Sequence, residues 1–287
     1  MRIDLQVHSN YSDGYLSPSE LVNFLAKQKV KVAALTDHNT VSGLEEFRAA
    51  ARKAGIKPIN GLELYARLNG RRFNILWYNF DPTRPELHDQ LRESQFRRRR
   101  KFRRILEHLI RHGFKIKIDK TLDKYNHYVP INRIIDELLA VRENVYKIKK
   151  ELNNDNPREE EIIKHYFYNR KFEILRESYI NIERILRLRK RIGGQIVLCH
   201  PAKHQYIRKD LWVKLKKLGL DGVEVLSPHH SYNSIMQIQS LARELNFIET
   251  GGSDFHRFEG WGFPIQYAGQ YFTIDSDKLK GVNKIIG

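Results

Sequence analysis

One cysteine in 287 residues, Cys199, leaves no partner for an intrachain disulfide, and such a chain points to a reducing compartment. No apolar stretch approaches the roughly 20 residues that span a bilayer. The opening Met1-Arg2-Ile3-Asp4 leads into no signal-peptide pattern, so a cytoplasmic protein with no membrane partner is expected. The chain has no repeat of fixed period and no low-complexity segment. Acidic residues are also in short supply, with 34 Asp and Glu against 51 Lys and Arg, a formal charge of +17. That excess favours an anionic partner, such as a phosphorylated substrate, RNA, DNA or an acidic membrane surface. Solubility alone is the competing explanation.

The apolar fraction of 41% and charged fraction of 30% are those of a folded chain, and the length suits one large domain or a core domain with an insertion. Short apolar runs alternate with helical patterns in the first 80 residues. Strands are expected at 3–7, 32–35, 56–64 and 73–80, with helices at 18–29 and 43–54. Ser17 caps the first helix, with Pro18 at its first position and Glu20 in its first turn. This βαβαβ order implies a parallel sheet with crossover helices. Residues 85–190 are charged and helical in pattern, with Phe102, Ile105, Leu106 and Leu109 on one face. A helix start at Asn156-Pro157 with Glu159, Glu160 and Glu161 opens a helical stretch, allowing for interruption, to about Arg191. The alternation then resumes, with strands at 195–199, 222–226 and 247–250 and helices at 209–218 and 233–245. The expected organisation is an α/β domain of 1–84 and 191–287 with a helical insertion at 85–190.

Histidines and acids collect at the carboxyl ends of these strands. His8 and Asp13 follow the first, Asp37 and His38 the second, and Glu63 ends the third. His200 follows the strand ending at Cys199, and Asp254 and His256 follow the last. Ligands of parallel α/β sheets and barrels bind at that edge. One such histidine reads as structural. Several, converging with carboxylates, would be costly to desolvate without a cation between them, and mixed imidazole and carboxylate shells suit zinc, manganese or iron. Cys199, beside His200, is a nucleophile candidate by position, but it ends the apolar run Ile196-Val197-Leu198 and reads as core.

The same residues resemble the motifs of the PHP (polymerase and histidinol phosphatase) family. Asp4-Leu5-Gln6-Val7-His8-Ser9 with Ser12-Asp13-Gly14 is similar to its first motif, Thr36-Asp37-His38-Asn39 to its second and Gly61-Leu62-Glu63 to its third. Leu198-Cys199-His200-Pro201 resembles the strand that usually ends alanine-histidine-proline, and Gly251-Gly252-Ser253-Asp254-Phe255-His256 the last motif. Gly219-Leu220-Asp221-Gly222-Val223-Glu224-Val225 also fits. The resemblance implies a distorted (β/α)7-type barrel holding one to three divalent ions, Mn²⁺ or Zn²⁺ or else Fe²⁺. One ion would use Gln6, His8, Glu63 and Asp254, a second Glu63, Asn74 and His200, and a third Asp13, His38 and His256. Two positions depart from the pattern, because Gln6 and Asn74 stand where the family carries histidine, and a neutral amide oxygen is the weaker ligand. The implied activity is hydrolysis of phosphate esters of nucleotides or short oligonucleotides by metal-activated water, as in the branch acting on nucleoside 3′,5′-bisphosphates and short RNAs. His200 and His256 are candidates to assist the leaving group. The alternatives are a catalytically impaired PHP domain that binds metal and nucleic acid, and another PHP phosphatase of histidinol-phosphatase type.

The densest basic run is Arg97-Arg98-Arg99-Arg100-Lys101-Phe102-Arg103-Arg104. It is either a phosphate-binding surface for a nucleotide or RNA or a solvated helix face. Arg133 lies at a turn that resembles another phosphate contact of the branch, and it also reads as a helix-start arginine. Tyr125, Tyr128, Tyr146, Tyr166, Phe167 and Tyr168 are placed to stack bases or to pack the helices.

Overall fold

The computed structural model describes residues 1–169, 175, 178–204, 206–260, 263–264 and 274–287. The chain divides into two compact units, one of Met1–Gln90 with Tyr179–Gly287 and the other of Leu91–Ser178. The first unit opens with β1 (Arg2–Val7), α1 (Pro18–Lys27), β2 (Val32–Leu35), α2 (Leu44–Lys53), β3 (Lys57–Leu68) and β4 (Arg71–Tyr78). The helix α3 (Pro85–Arg111) carries the chain into the second unit, built further from α4 (Ile118–Asp123), α5 (Ile131–Leu139), α6 (Arg142–Leu152) and the short α7 (Glu159–Ile162). The first unit resumes with β5 (Ile180–Asn181), α8 (Ile182–Ile192), β6 (Gln195–Leu198), α9 (Lys209–Leu218), β7 (Gly222–Leu226), α10 (Tyr232–Glu244) and β8 (Ile248–Gly251). A small hairpin of β9 (Glu259–Gly260) and β10 (Phe263–Pro264) follows, and then β11 (Ile274–Asp275).

The main sheet runs β11-β1-β2-β3-β4-β6-β7-β8, with β5 added beside β3, and it curls into a nearly closed barrel. Its two ends approach where the amide of His8 donates to the Phe255 carbonyl and that of Asp254 to the Gln6 carbonyl, each at 2.9 Å. Gly252 permits this approach, since a Cβ there would lie 2.4 Å from that of Gln6. The strands β1, β2, β4 and β6 are almost wholly buried and supply Leu5, Val7, Leu35, Ile75, Trp77 and Val197 to the core. The α1 helix starts as its sequence directs, with Ser17 and Glu20 closing a capping box.

One expectation needs correction. The strand after β3 is antiparallel to it, and to β6 as well, so the sheet is mixed. The connection is the two-residue turn Asn69-Gly70, both residues at positive φ (48° and 79°), which suits a hairpin and leaves no room for a crossover. The helical stretch after Asn156 is interrupted before it ends with α8 at Ile192. It opens with α7 and one π-helical turn, Ile163–Phe167, and the chain re-enters the sheet as β5 before α8 begins. Residues 170–174, 176 and 177 lie outside the described residues.

The second unit has its own core. Phe102, Ile105, Leu106 and Leu109 of α3 pack with Leu122, Ile134, Ile135, Leu138, Ile148, Tyr166 and Phe167. Tyr166, Phe167 and Tyr128 are thereby committed to packing, whereas Tyr146 and Tyr168 are exposed and Tyr125 is half-buried. The basic run does not act as one surface. Arg98 is 2% exposed, donates to the Val129 carbonyl at 2.6 Å, and lies over the rings of Tyr128 at 4.1 Å and Phe102 at 5.0 Å. Arg97 pairs with Glu93 and Ser178, and Arg99 with Asp123 and the Leu122 carbonyl. Arg100 is exposed. Arg133 is half-buried in the first turn of α5.

Candidate metal centre

Seven side chains from the ends of the strands converge in the first unit. The His8 imidazole is fully buried, with Nε2 3.2 Å from Glu63 and 3.1 Å from Asp254, and Nδ1 3.6 Å from Asp13. Asp13 also lies 3.5 Å from His38 and 3.3 Å from His256. The rings of His8 and His256 stack at 4.3 Å between centroids, and His38 stacks on Tyr65 at 4.8 Å. His200 Nε2 is 3.4 Å from Glu63 Oε1. The position of these groups follows from backbone and buried hydrogen bonds. Asp37 accepts from Ser9 N–H (2.8 Å), Ser9 O–H and Ser12 O–H (2.6 Å each), which folds the loop after β1 and presents Asp13. Asp4 accepts from the Ser253 N–H and O–H, which ties down the loop bearing Asp254. Asn39 and Asp254 hold left-handed backbone, φ 51° each, a conformation that asparagine and aspartate tolerate better than most residues.

Gln6 and Asn74 sit among these groups, but each turns its amide nitrogen to Glu63. Gln6 Nε2 donates to Oε2 at 2.9 Å and Asn74 Nδ2 to Oε1 at 2.6 Å. The site also contains residues to which the strand-end reading gives no role in it. Cys199 and Glu224 are fully buried beside Glu63 and His200, with the Glu224 carboxylate accepting from the His200 amide at 2.8 Å. His229 Nε2 lies 2.6 Å from Asp254, and Lys203 stands 3.3 Å from that ring at 42% exposure. The signal for His229 is present in Ser227-Pro228-His229-His230, which follows β7 directly. Glu224 lies within its strand and carries no such signal.

Charge and burial oppose one another throughout the cluster. Burial works against ionisation of Glu63, but His38, His200 and His8 outweigh it and hold the carboxyl well below its usual range. Burial likewise opposes Asp254, where His256, His229 and His8 prevail. Burial moves His38 the other way, down to about 4, helped by His8 and His256 and only partly offset by Glu63 and Asp13. His256 ends above its ordinary value, because Asp13 overcomes burial. The Gln6 oxygen and both His8 nitrogens are buried without a well-directed hydrogen bond. Three overlapping sets place their donor atoms within 4.8 Å of one another: His8, Asp13, His38 and His256; His8, Glu63 and Asp254; and Glu63, Cys199 and His200. Carboxylates and imidazoles this close, around buried atoms without a well-directed hydrogen bond, suit divalent cations.

Residues 4–170 match the model of the PHP domain. A 5′-3′ exoribonuclease of Haemophilus influenzae is 29% identical over 266 residues, which cover 91% of this chain and 92% of that one. A 3′,5′-nucleoside bisphosphate phosphatase of Chromobacterium violaceum is 26% identical over 257 residues, covering 88% and 87%. A crystal structure of a candidate metal-dependent phosphoesterase from Bifidobacterium adolescentis superimposes with a TM-score of 0.77 over 99% of this chain and 95% of that one, at 21% identity. The likeness in fold extends to an amidohydrolase from Chromobacterium violaceum with bound sulfate (TM-score 0.69, 23% identity, covering 89% and 88%). With the motifs in order, the barrel formed and the histidines and carboxylates of the strand ends brought together, the chain belongs to the PHP domain family.

Proposed function

We propose that this metal-dependent phosphoesterase acts on nucleotides or short oligoribonucleotides carrying a terminal phosphate. The observation that carries the reading is the convergence of His8, Asp13, His38, Glu63, Asp254 and His256 on one buried cluster. His8, Glu63 and Asp254 would hold one ion, Asp13, His38 and His256 another, and His200 with Glu63 contributes to a further position. Gln6 and Asn74 would serve Glu63 as amide donors. Divalent ions in that set supply Lewis acidity and a nucleophile at neutral pH.

The remaining roles fall to this chain's own groups. Lys203, on the rim beside His229 and Asp254, would face the phosphoryl oxygens with positive charge. The substrate class is supported by the names of the relatives and by the chemistry of the second unit. There a cleft of about 360 Å³ is lined by Arg92, Phe96, Arg99, Tyr125 and Tyr128, and Phe96 is 61% exposed. Arginine and aromatic faces at that size suit a base with its phosphate.

Protein purified without chelator is expected to carry at least two ions per chain. With added Mn²⁺ it should release phosphate from adenosine 3′,5′-bisphosphate or mononucleotides from a 5′-phosphorylated RNA oligomer. Asp13→Ala should lose one ion and at least about 100-fold in activity. Metal-loaded protein that turns over neither substrate would overturn the substrate class, and an unchanged metal content in Asp13→Ala would overturn the ligand assignment.

A further inference from the structure

Three residues that depart from the family's usual pattern meet at one carboxylate. Gln6 of β1, Asn74 of β4 and Cys199, the residue after β6, all lie against Glu63 of β3. Cys199 Sγ is 3.7 Å from Glu63 Oε1, and His200 Nε2 is 3.4 Å from that same oxygen. Bond lengths of about 2.3 Å to sulfur and about 2.0–2.1 Å to nitrogen and oxygen put the ligand atoms of tetrahedral zinc roughly 3.3–3.6 Å apart. The separations found are close to those edges. The ligand atoms of Glu63, Cys199 and His200 lie within 4.8 Å of one another, and all three residues are buried. A second observation points the same way. The Gln6 side chain is fully buried, its nitrogen touches Sγ at 3.2 Å, and its oxygen has no hydrogen-bond partner. The Gln6 N–H donated to Sγ favours the thiolate form that a cation would bind.

We propose that Cys199, Glu63 and His200 form a thiolate metal site, selective for zinc-class ions over manganese or magnesium. Binding releases the thiol proton to solvent and forms one sulfur–metal bond. Thiolate and the Glu63 carboxylate together balance the charge of a dication. A thiolate here needs that cation, because Glu224 lies on its other side with Oε2 3.8 Å from Sγ. Softness of the donor sets the preference, since sulfur favours zinc and cobalt while oxygen-rich shells favour manganese and magnesium. The inference rests on the metal-dependent reading above and adds to it the identity of a ligand and the class of its ion.

The test is cobalt reconstitution of the metal-stripped full chain. Because Cys199 is the only cysteine, a near-ultraviolet sulfur-to-cobalt charge-transfer band reports on it alone, and the wild-type spectrum suffices even if a variant folds poorly. The band is expected, to be displaced by Zn²⁺ and unaffected by Mn²⁺. Cys199→Ser should lose it together with one equivalent of cobalt, whereas Asp13→Ala should keep it. Cobalt bound without the band, or a full complement of cobalt in Cys199→Ser, overturns the thiolate site and leaves the phosphoesterase reading standing. A chain that takes up no cobalt or zinc at all overturns both.

Discussion

Glu63 receives an amide hydrogen bond on each carboxylate oxygen while three histidines approach it. Residues of this kind are legible in the sequence when they sit at strand ends, because burial and position together leave few structural uses for a polar group there. His8, Asp13, His38, Glu63, His200, Asp254 and His256 all carry that signal. The direction in which Gln6 and Asn74 point their amides is not legible. It depends on which strand lies beside β3, and no local pattern records that. His230 is a residue-scale case with a measurable consequence. It is 8% exposed, its Nδ1 lies 2.8 Å from the Val225 carbonyl, and burial lowers its pKa to about 4. Above the ordinary value of about 6.5 the ring is neutral in folded and unfolded chains alike. As the pH falls from there towards 4, the unfolded chain takes up a proton that the folded chain refuses, and stability drops by up to about 3 kcal/mol. Urea denaturation of the chelated protein at pH 7 and pH 4.5 should show a smaller loss in His230→Asn than in wild type. Equal losses in the two proteins would refute the assignment.

Among the elements, the β/α units are readable almost to their ends, because each pairs a short apolar run with a capped amphipathic helix. The β3–β4 hairpin is harder to read. Both strands are expected, but their order in the chain suggests a parallel neighbour, and the short Asn69-Gly70 signal that reverses the chain is outweighed by the βα alternation before it. The reversal matters to the site. Register pairs Asn74 with Tyr65 and Leu76 with Glu63, so Asn74 falls on the same face as Glu63, one diagonal step away. Gly70 holds φ 79° in open space, so an added methyl group meets strain from the backbone alone. Gly70→Ala should cost about 1 kcal/mol in chemical denaturation and leave metal content unchanged. Full wild-type stability would show that the turn tolerates an alanine in another form.

Over the whole molecule, composition records the positive charge but not its use. Residues 91–178 carry 23 Lys and Arg against 14 Asp and Glu, a density of charge well above that of the rest of the chain. The structure separates roles that a run of arginines hides, since Arg98 is consumed by the core of its unit whereas Arg100 faces solvent. Changing Arg97, Arg99 and Arg100 together to Gln is therefore expected to weaken binding of single-stranded RNA. The slope of log affinity against log salt should flatten by about 0.7 for each phosphate that the variant no longer neutralises. An unchanged slope in filter-binding titrations would identify these arginines as a solvated face.

The pairing of β1 with β11 has a consequence in time. The terminal amine of Met1 meets Asp275 across 274 positions of sequence, and Asp254 and His256 are held by the loop that closes against β1. The early strands, with His8, Asp13, His38 and Glu63, must wait for almost the whole chain before the cluster is complete. Pairings of such long range form slowly, whereas the second unit lies between them as one continuous segment. Refolding should therefore recover helical signal before it recovers tight metal binding. Ion uptake is the last event in this order, and it would act as a latch on a barrel that has already closed.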